Sequence, residues 1–284
     1  MYNSLVMDIK RLLIENGFRF NKQFGQNFLT DETLLAEIVE DADVDGKTVL
    51  EIGAGAGTLT RALAKRAEKV IALEIDRNLE KILAVTLGDY PNVKVVIGDV
   101  MRYKMADLEQ MCGGPYTVVA NIPYYITSPL IMNFVEKATK VQSLILTIQK
   151  EVAERLVAKP ATKDYGAITV GVDAVADTVI TRVLPRTLFY PAPQVDSAVV
   201  KIVFNRNKYD IDDQALFRKT VKTAFMMRRK TLVNNLTAGF NIDREQAEEL
   251  LAACNLAANC RGEELSTAQF VQLCNEIKKL QINK

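Results

Sequence analysis

TVLEIGAGAGTLT, residues 48–60, decides the fold: a short β-branched run ends in glycines at alternate positions and passes into a helix-forming stretch. Gly53, Gly55 and Gly57 thus occupy a strand-to-helix turn, where the missing Cβ atoms let a ligand approach the backbone. Their G-x-G-x-G spacing departs from the G-x-G-x-x-G dinucleotide fingerprint, so the turn alone does not name the ligand. Outward from it the same rhythm repeats. KVIAL (69–73), VKVVI (93–97), YTVVA (116–120) and SLILTI (143–148) alternate with helical patterns, the signature of βαβ units around a parallel sheet. The expected class is α/β, with a Rossmann-like, mostly parallel sheet.

Upstream, Asp31 is placed to cap a helix through LLAEIVEDA, and a longer helix is expected over residues 4–16. Downstream, EVAERLVA reads as an amphipathic helix, AITVGVDAV and TVITRVL as β-rich stretches, and DSAVVKIVF (196–204) as a last strand that gives the sheet an antiparallel end. PRTLFYPAP (185–193), with its three prolines, is expected to be a fixed loop between strands. From Asn207 onward the pattern is helical. The expected division is a catalytic domain at 1–205, including an N-terminal helical segment at 1–46, and a small all-α domain at 206–284.

The 284 residues include no histidine, and the four cysteines, Cys112, Cys254, Cys260 and Cys274, show no C-x-x-C spacing. No metal site is expected. Without imidazole, the Ser-His and Cys-His nucleophile arrangements and the commonest general base are all excluded. A net charge of +1 argues against coating nucleic acid by bulk electrostatics. Between Gln214 and Ile242, however, stand Arg218, Lys219, Lys222, Arg228, Arg229 and Lys230 with no acid among them. That basic face could be an RNA contact or simply a solvated helix surface. The first twenty residues carry charges throughout and do not read as a signal peptide, and no apolar run approaches the roughly 20 residues that span a bilayer. The chain is expected to be soluble, cytoplasmic and, in the absence of any coiled-coil pattern, monomeric.

Glu74 closes the second strand, where a carboxylate can accept both hydroxyls of an adenosine ribose, and GDV places Asp99 after the third. Either acid alone could merely cap a turn. Delivered together with the glycines to the carboxyl edge of the sheet, they mark a nucleoside-binding site. A nicotinamide enzyme is conceivable, but the glycine spacing is wrong for it.

NIPYYITSPL (121–130) follows the fourth strand and brings Asn121, Pro123 and Tyr124 to the same edge. An adenine amino group is a poor nucleophile because its lone pair is delocalised into the ring. The Asn121 side-chain carbonyl and the backbone carbonyl of Ile122, held before rigid Pro123, could accept both N–H bonds and aim the lone pair at a methyl sulfonium. Tyr124 offers a flat face for the base, a contact of about 1 to 3 kcal/mol in nucleic-acid sites. Out of this context the same residues could be a stiff turn capped by asparagine.

These residues resemble the ribosomal RNA adenine dimethyltransferase family, whose pattern after the fourth strand is Asn-(Leu/Ile)-Pro-Tyr. FGQNFL (24–29), EIGAGAG, LEID (73–76), GDV, QKEVAERL (149–156) and FYPAPQVDSAVV (189–200) are similar to family segments in the same order. The resemblance implies the class I S-adenosylmethionine-dependent methyltransferase fold, and cofactor contacts from Asn27, Leu29, Gly53, Glu74, Asp99 and Asn121, beside Gly55 of the glycine turn. It implies Asn121, Pro123 and Tyr124 as the catalytic motif and ribosomal RNA as the substrate. Phe225, Arg228, Arg229 and Lys230 are the expected RNA contacts, although Phe225 could equally be a core residue. Ala54 stands where a proline is frequent and Tyr125 where an asparagine is common. PAPQVDSAVV, the long helical tail and the near-neutral charge resemble the members that dimethylate adjacent adenines of the small-subunit terminal hairpin. Large-subunit methylation of the macrolide-resistance type, or a non-catalytic assembly factor with this fold, are the alternatives.

Overall fold

The computed structural model describes residues 9–15, 17–18, 25–29 and 31–282. Helix α1 (Ile9–Glu15) is the described part of the helix expected over 4–16, whose other residues lie outside the described ones. Strand β1 (Phe28–Leu29) precedes α2 (Glu32–Ala42), which begins where Asp31 accepts the Leu34 N–H at 3.0 Å. Leu34, Leu35, Ile38, Val39 and Ala42 form its buried stripe.

The alternation read from the sequence follows: β2 (Thr48–Ile52), α3 (Thr58–Ala64), β3 (Lys69–Glu74), α4 (Glu80–Leu87), β4 (Val93–Ile97), α5 (Met105–Cys112), β5 (Tyr116–Asn121), α6 (Thr127–Lys137) and β6 (Val141–Gln149). After α7 (Lys150–Leu156) come α8 (Ala167–Asp173), β7 (Ala176–Leu184), β8 (Phe189–Tyr190) and β9 (Ser197–Phe204). The tail is helical as expected, with α9 (Gln214–Ala224), α10 (Leu232–Phe240), α11 (Arg244–Ala253) and α12 (Thr267–Ile282).

Two local expectations are corrected. AITVGVDAV is not β-rich but forms α8: the Gly166 N–H donates to Thr169 Oγ1 at 3.2 Å, and that hydroxyl donates to the Arg155 carbonyl at 2.7 Å, anchoring the first turn. Burial of Val170 and Val172 overrides their β preference. PRTLFYPAP is not wholly irregular: it holds a 3-10 turn at Arg186–Leu188 and then β8. Strand β8 pairs antiparallel with β1, Phe28 opposite Tyr190 and Leu29 opposite Phe189.

The main sheet has the order β4-β3-β2-β5-β6-β9-β7. The pairs β4-β3, β3-β2, β2-β5 and β5-β6 are parallel, and β9 runs antiparallel to β6. Val49, Val70, Val119, Ile145 and Val199 pack on one face under α2 and α3, and the alternate residues Leu50, Ile71, Val118 and Leu144 are just as buried on the other. Burial on both faces is why these strands read as nearly unbroken apolar runs. The strand order reverses between β2 and β5, and open α/β sheets bind ligands in the crevice at such a reversal.

The chain forms two compact units, one of residues 1–153 and 179–203, the other of 154–178 and 204–284. The chain passes between the units at 153/154, 178/179 and 203/204, so the helical unit begins two residues before the division expected at 205/206 and also takes in residues 154–178. No described helix is long and apolar enough to cross a membrane.

Candidate active site

The parallel register brings the ends of four strands level. Ile52 of β2 lies opposite Leu73 of β3 and Ala120 of β5, and Glu74 opposite Ile97 of β4. The chain leaves β2 in a tight turn in which the Gly53 and Ala54 N–H groups both donate to the Leu73 carbonyl, at 2.8 and 3.0 Å. Gly53 and Gly55 adopt φ of +81° and +57°, the left-handed region that glycine enters without a Cβ penalty. Gly55 is further constrained by space, since a Cβ there would meet the Phe28 ring at 2.7 Å. The ring of the QNFL segment thus presses directly on the glycine turn.

Glu74 holds that turn in place. Its carboxylate accepts the Gly55 N–H at 2.7 Å and the Asp76 N–H at 2.8 Å. Burial pushes its pKa up, and the backbone bonds from Asp76 and Gly55 oppose that rise. A carboxylate has about four acceptor positions, so capacity for a ligand hydroxyl remains beside these backbone bonds. Asp76, which sequence reasoning did not single out as a site residue, is buried and accepts from Gln26 Nε2 at 2.9 Å and from the Asn78 N–H at 3.0 Å, so it ties the QNFL segment to the end of β3. Its sequence signal was its position two residues beyond Glu74.

The Asn121 side-chain amide donates from Nδ2 to the Asn27 carbonyl at 2.8 Å. Asn27 in turn donates to the Gly25 carbonyl at 3.0 Å. The Ile122 N–H is held by the Thr147 carbonyl at 3.1 Å, which fixes the peptide that leads into Pro123. A 3-10 turn at Tyr124–Ile126 follows, and the Tyr124 hydroxyl lies 3.0 Å from Ser197 Oγ.

Two adjoining hollows result. Asn27, Leu29, Gly53, Gly55, Glu74, Asn121 and Tyr124 line the first. Asp99, Val100, Met101 and Tyr125 line the second, which shares Gly53, Ile75 and Pro123 with the first. Asp99 caps its own turn by accepting the Met101 N–H at 2.9 Å, so the capping role and the place at the rim coexist. The structure therefore gathers on one edge every residue that the sequence assigned to cofactor or catalysis.

A family model described as ribosomal RNA adenine dimethylase matches residues 17–279. The chain belongs to this family. Among curated relatives, the ribosomal RNA small subunit methyltransferase A of Clostridioides difficile is 42% identical over 272 residues, covering 94% of each chain. Its namesake from Geobacillus kaustophilus is 42% identical over 282 residues, with 95% of each chain covered. A solved dimethyladenosine transferase from Plasmodium falciparum superposes with a TM-score of 0.74 at 25% identity, covering 89% of this chain and 98% of that one. The 23S rRNA methyltransferase ErmE gives 0.68 at 27% identity, covering 89% and 100%.

The helical unit of this ribosomal RNA adenine dimethylase treats the expected RNA contacts unequally. The partly buried Phe225 ring packs against Tyr165 and Phe270, with centroids 6.1 and 5.9 Å away. Arg228 is committed within its own unit: Nε meets Glu263 at 2.7 Å, and Nη2 donates to the carbonyls of Lys163 and Tyr165. Arg229 and Lys230 are exposed, as are Met226 and Met227 beside them.

Glu51 is a further residue that sequence reasoning passed over. It lies on β2, fully buried, and the group near enough to favour its charged form is the equally buried Thr60 hydroxyl, although the two do not meet in good hydrogen-bond geometry. Burial pushes its pKa up to about 8. The signal available was a lone acid inside the apolar run TVLEI.

Proposed function

We propose that this enzyme transfers methyl groups from S-adenosylmethionine to the exocyclic amines of two adjacent adenosines in the terminal hairpin of small-subunit ribosomal RNA, as a cytoplasmic monomer acting during maturation of the small subunit. The bond from Asn121 Nδ2 to the Asn27 carbonyl is the observation that carries the reading. A carbonyl can only accept, so the amide nitrogen is committed there and Oδ1 is left as an acceptor at the hollow.

The residues fit the cofactor. The left-handed glycine turn leaves a cradle that side chains would fill, the Glu74 carboxylate suits ribose hydroxyls, and the second hollow pairs an apolar lining of Ile75, Val100 and Met101 with Asp99 as an acceptor for a purine amine. When bound, S-adenosylmethionine supplies an electrophilic methyl group on a sulfonium. Asn121 Oδ1 and the Ile122 carbonyl accept the two N–H bonds of the target amine, which frees its lone pair from the ring. The proton lost on transfer leaves by way of these acceptors, and no imidazole is needed. Tyr124 stacks on the base and offsets the few kcal/mol of taking it out of its own stack. In the helical unit, Arg229 and Lys230 meet RNA phosphates, which positions the substrate without reading its sequence.

The small-subunit assignment is supported by relatives of that name at 42% identity, against 27% for the large-subunit enzyme. The test is methyl incorporation from labelled cofactor into unmethylated small-subunit particles and large-subunit RNA in parallel, with mapping of the modified bases. Dimethyladenosine in the small-subunit terminal hairpin is expected. Label confined to large-subunit RNA, or none despite cofactor binding, overturns the assignment.

A further inference from the structure

We infer that Ser197 is a positioning residue for the reaction, acting through the Tyr124 hydroxyl to fix the angle at which the tyrosine ring meets the target base. The inference rests on the reading of Tyr124 as the stacking platform. Tyr124 opens a 3-10 turn none of whose residues is fully buried, and the tyrosine itself is partly buried, so packing alone does not enclose the ring. What reaches the sheet is the hydroxyl, which lies 3.0 Å from Ser197 Oγ.

Ser197 is well placed for this. It is the first residue of β9, paired antiparallel with Gln149 of β6, and it is fully inaccessible to solvent. A buried hydroxyl without a partner is costly, and Tyr124 Oη is the partner this one has. The neighbouring Asp196 carbonyl accepts the Lys150 N–H at 3.0 Å and its carboxylate accepts the Arg186 N–H at 3.0 Å, so the backbone that carries the serine is fixed on both sides. The strand is hydrogen-bonded on both sides and the turn is only partly buried, so the bond transmits position from the strand to the ring. A platform held in advance spares the ordering that base capture would otherwise require.

The test is a double-mutant cycle of Ser197→Ala and Tyr124→Phe. It is read by KM and kcat for methylation of the unmodified particle and by the affinity for a terminal hairpin with 2-aminopurine at the target position. A single neutral hydrogen bond corresponds to about a three- to tenfold effect. Each single variant should raise KM and weaken hairpin binding by about that factor, Ser197→Ala with kcat nearly unchanged, and the double variant should be no worse than either single one. Affinity for S-adenosylhomocysteine should stay at the wild-type value in all three. Losses that multiply in the double variant, or a Ser197→Ala loss that Tyr124→Phe does not share, overturn the inference. An inactive wild-type protein in the same assay overturns the underlying function instead, and the hairpin affinities still decide whether the two hydroxyls act together.

Discussion

Asn121 and Asn27 are 94 residues apart in the chain and are joined by one hydrogen bond of 2.8 Å, from the side-chain amide of the first to the backbone carbonyl of the second. The bond sets which end of the Asn121 amide faces the hollow. It also ties the QNFL segment to the proposed catalytic group, since a displaced Asn27 carbonyl would free the amide to turn.

Asn121→Asp and Asn121→Ala should therefore both fail, for different reasons. Aspartate keeps the shape but sets a carboxylate oxygen against the Asn27 carbonyl oxygen, and alanine removes the acceptor outright. Loss of a pre-aimed polar group of this kind costs about 10²- to 10³-fold in rate. Single-turnover methylation should fall by at least that range in each variant, while thermal unfolding moves by about 1 kcal/mol or less. Retained turnover in Asn121→Asp would sink the orientation argument, and an unfolded Asn121→Ala would make the residue structural.

Gly55→Ala tests the glycine turn. At φ +57° the new Cβ meets the Phe28 ring at 2.7 Å, whereas at Gly113, φ +82°, nothing lies within 4 Å of it. Gly113→Ala thus reports backbone strain alone, about 1 to 3 kcal/mol. Gly55→Ala should lose more stability than Gly113→Ala and, unlike it, at least about tenfold in affinity for S-adenosylhomocysteine by calorimetry, the equivalent of about 1.4 kcal/mol. Equal melting temperatures and unchanged affinity would mean that the turn adapts and that Phe28 does not press on it.

Most of this site was legible because the residues that build it sit at strand ends, and strand ends are where an apolar run stops. Gly53, Glu74 and Asn121 each follow such a run directly, and Asp99 follows one after a single glycine. What was not legible depends on contacts between distant segments. The Tyr124–Ser197 pair spans 73 residues and Arg228–Glu263 spans 35, and no local pattern announces either. The sequence left Phe225 open between an RNA contact and a core residue, and could not show that Tyr165 and Phe270 pack against it or that Glu263 pairs with Arg228. AITVGVDAV failed for a related reason: its valines favour strands locally, and only the burial of α8 decides otherwise.

Glu51 makes stability depend on pH. Its ordinary value of 4.5 is pushed up to about 8, chiefly by burial, with the Thr60 hydroxyl opposing and the Glu74 carboxyl adding to the rise. Between those two values the folded protein holds a proton that the unfolded chain does not. This contribution to stability is complete below 4.5 and is lost as pH climbs to about 8, at no more than about 1.4 kcal/mol per pH unit. Glu74 is raised in the same sense, so only a difference isolates Glu51. Glu51→Gln should gain stability on the wild type progressively from about pH 5 to about pH 8 in denaturant titrations, because glutamine is neutral throughout. Parallel curves would mean that Glu51 ionises at its ordinary value.

Arg228, Arg229 and Lys230 are consecutive, yet the structure separates their roles. Arg228 gives its guanidinium to Glu263 and to two backbone carbonyls of its own unit, while Arg229 and Lys230 face solvent. Cations that meet phosphate release counterions, and removing one lowers the slope of log K against log salt by about 1. Arg229→Ala with Lys230→Ala should therefore flatten the salt dependence of RNA binding by up to about 2 and leave the melting temperature alone. Arg228→Ala should do the reverse. It leaves two carbonyls without their donor and Glu263 with only its 4.0 Å contact to Arg261, for a loss of about 1 kcal/mol once the half-exposed ion pair is discounted, and it keeps the salt slope of the wild type. Equal slopes for all variants would place the RNA-binding face elsewhere on the helical unit, with Arg218, Lys219 and Lys222 of α9 as the next residues to replace.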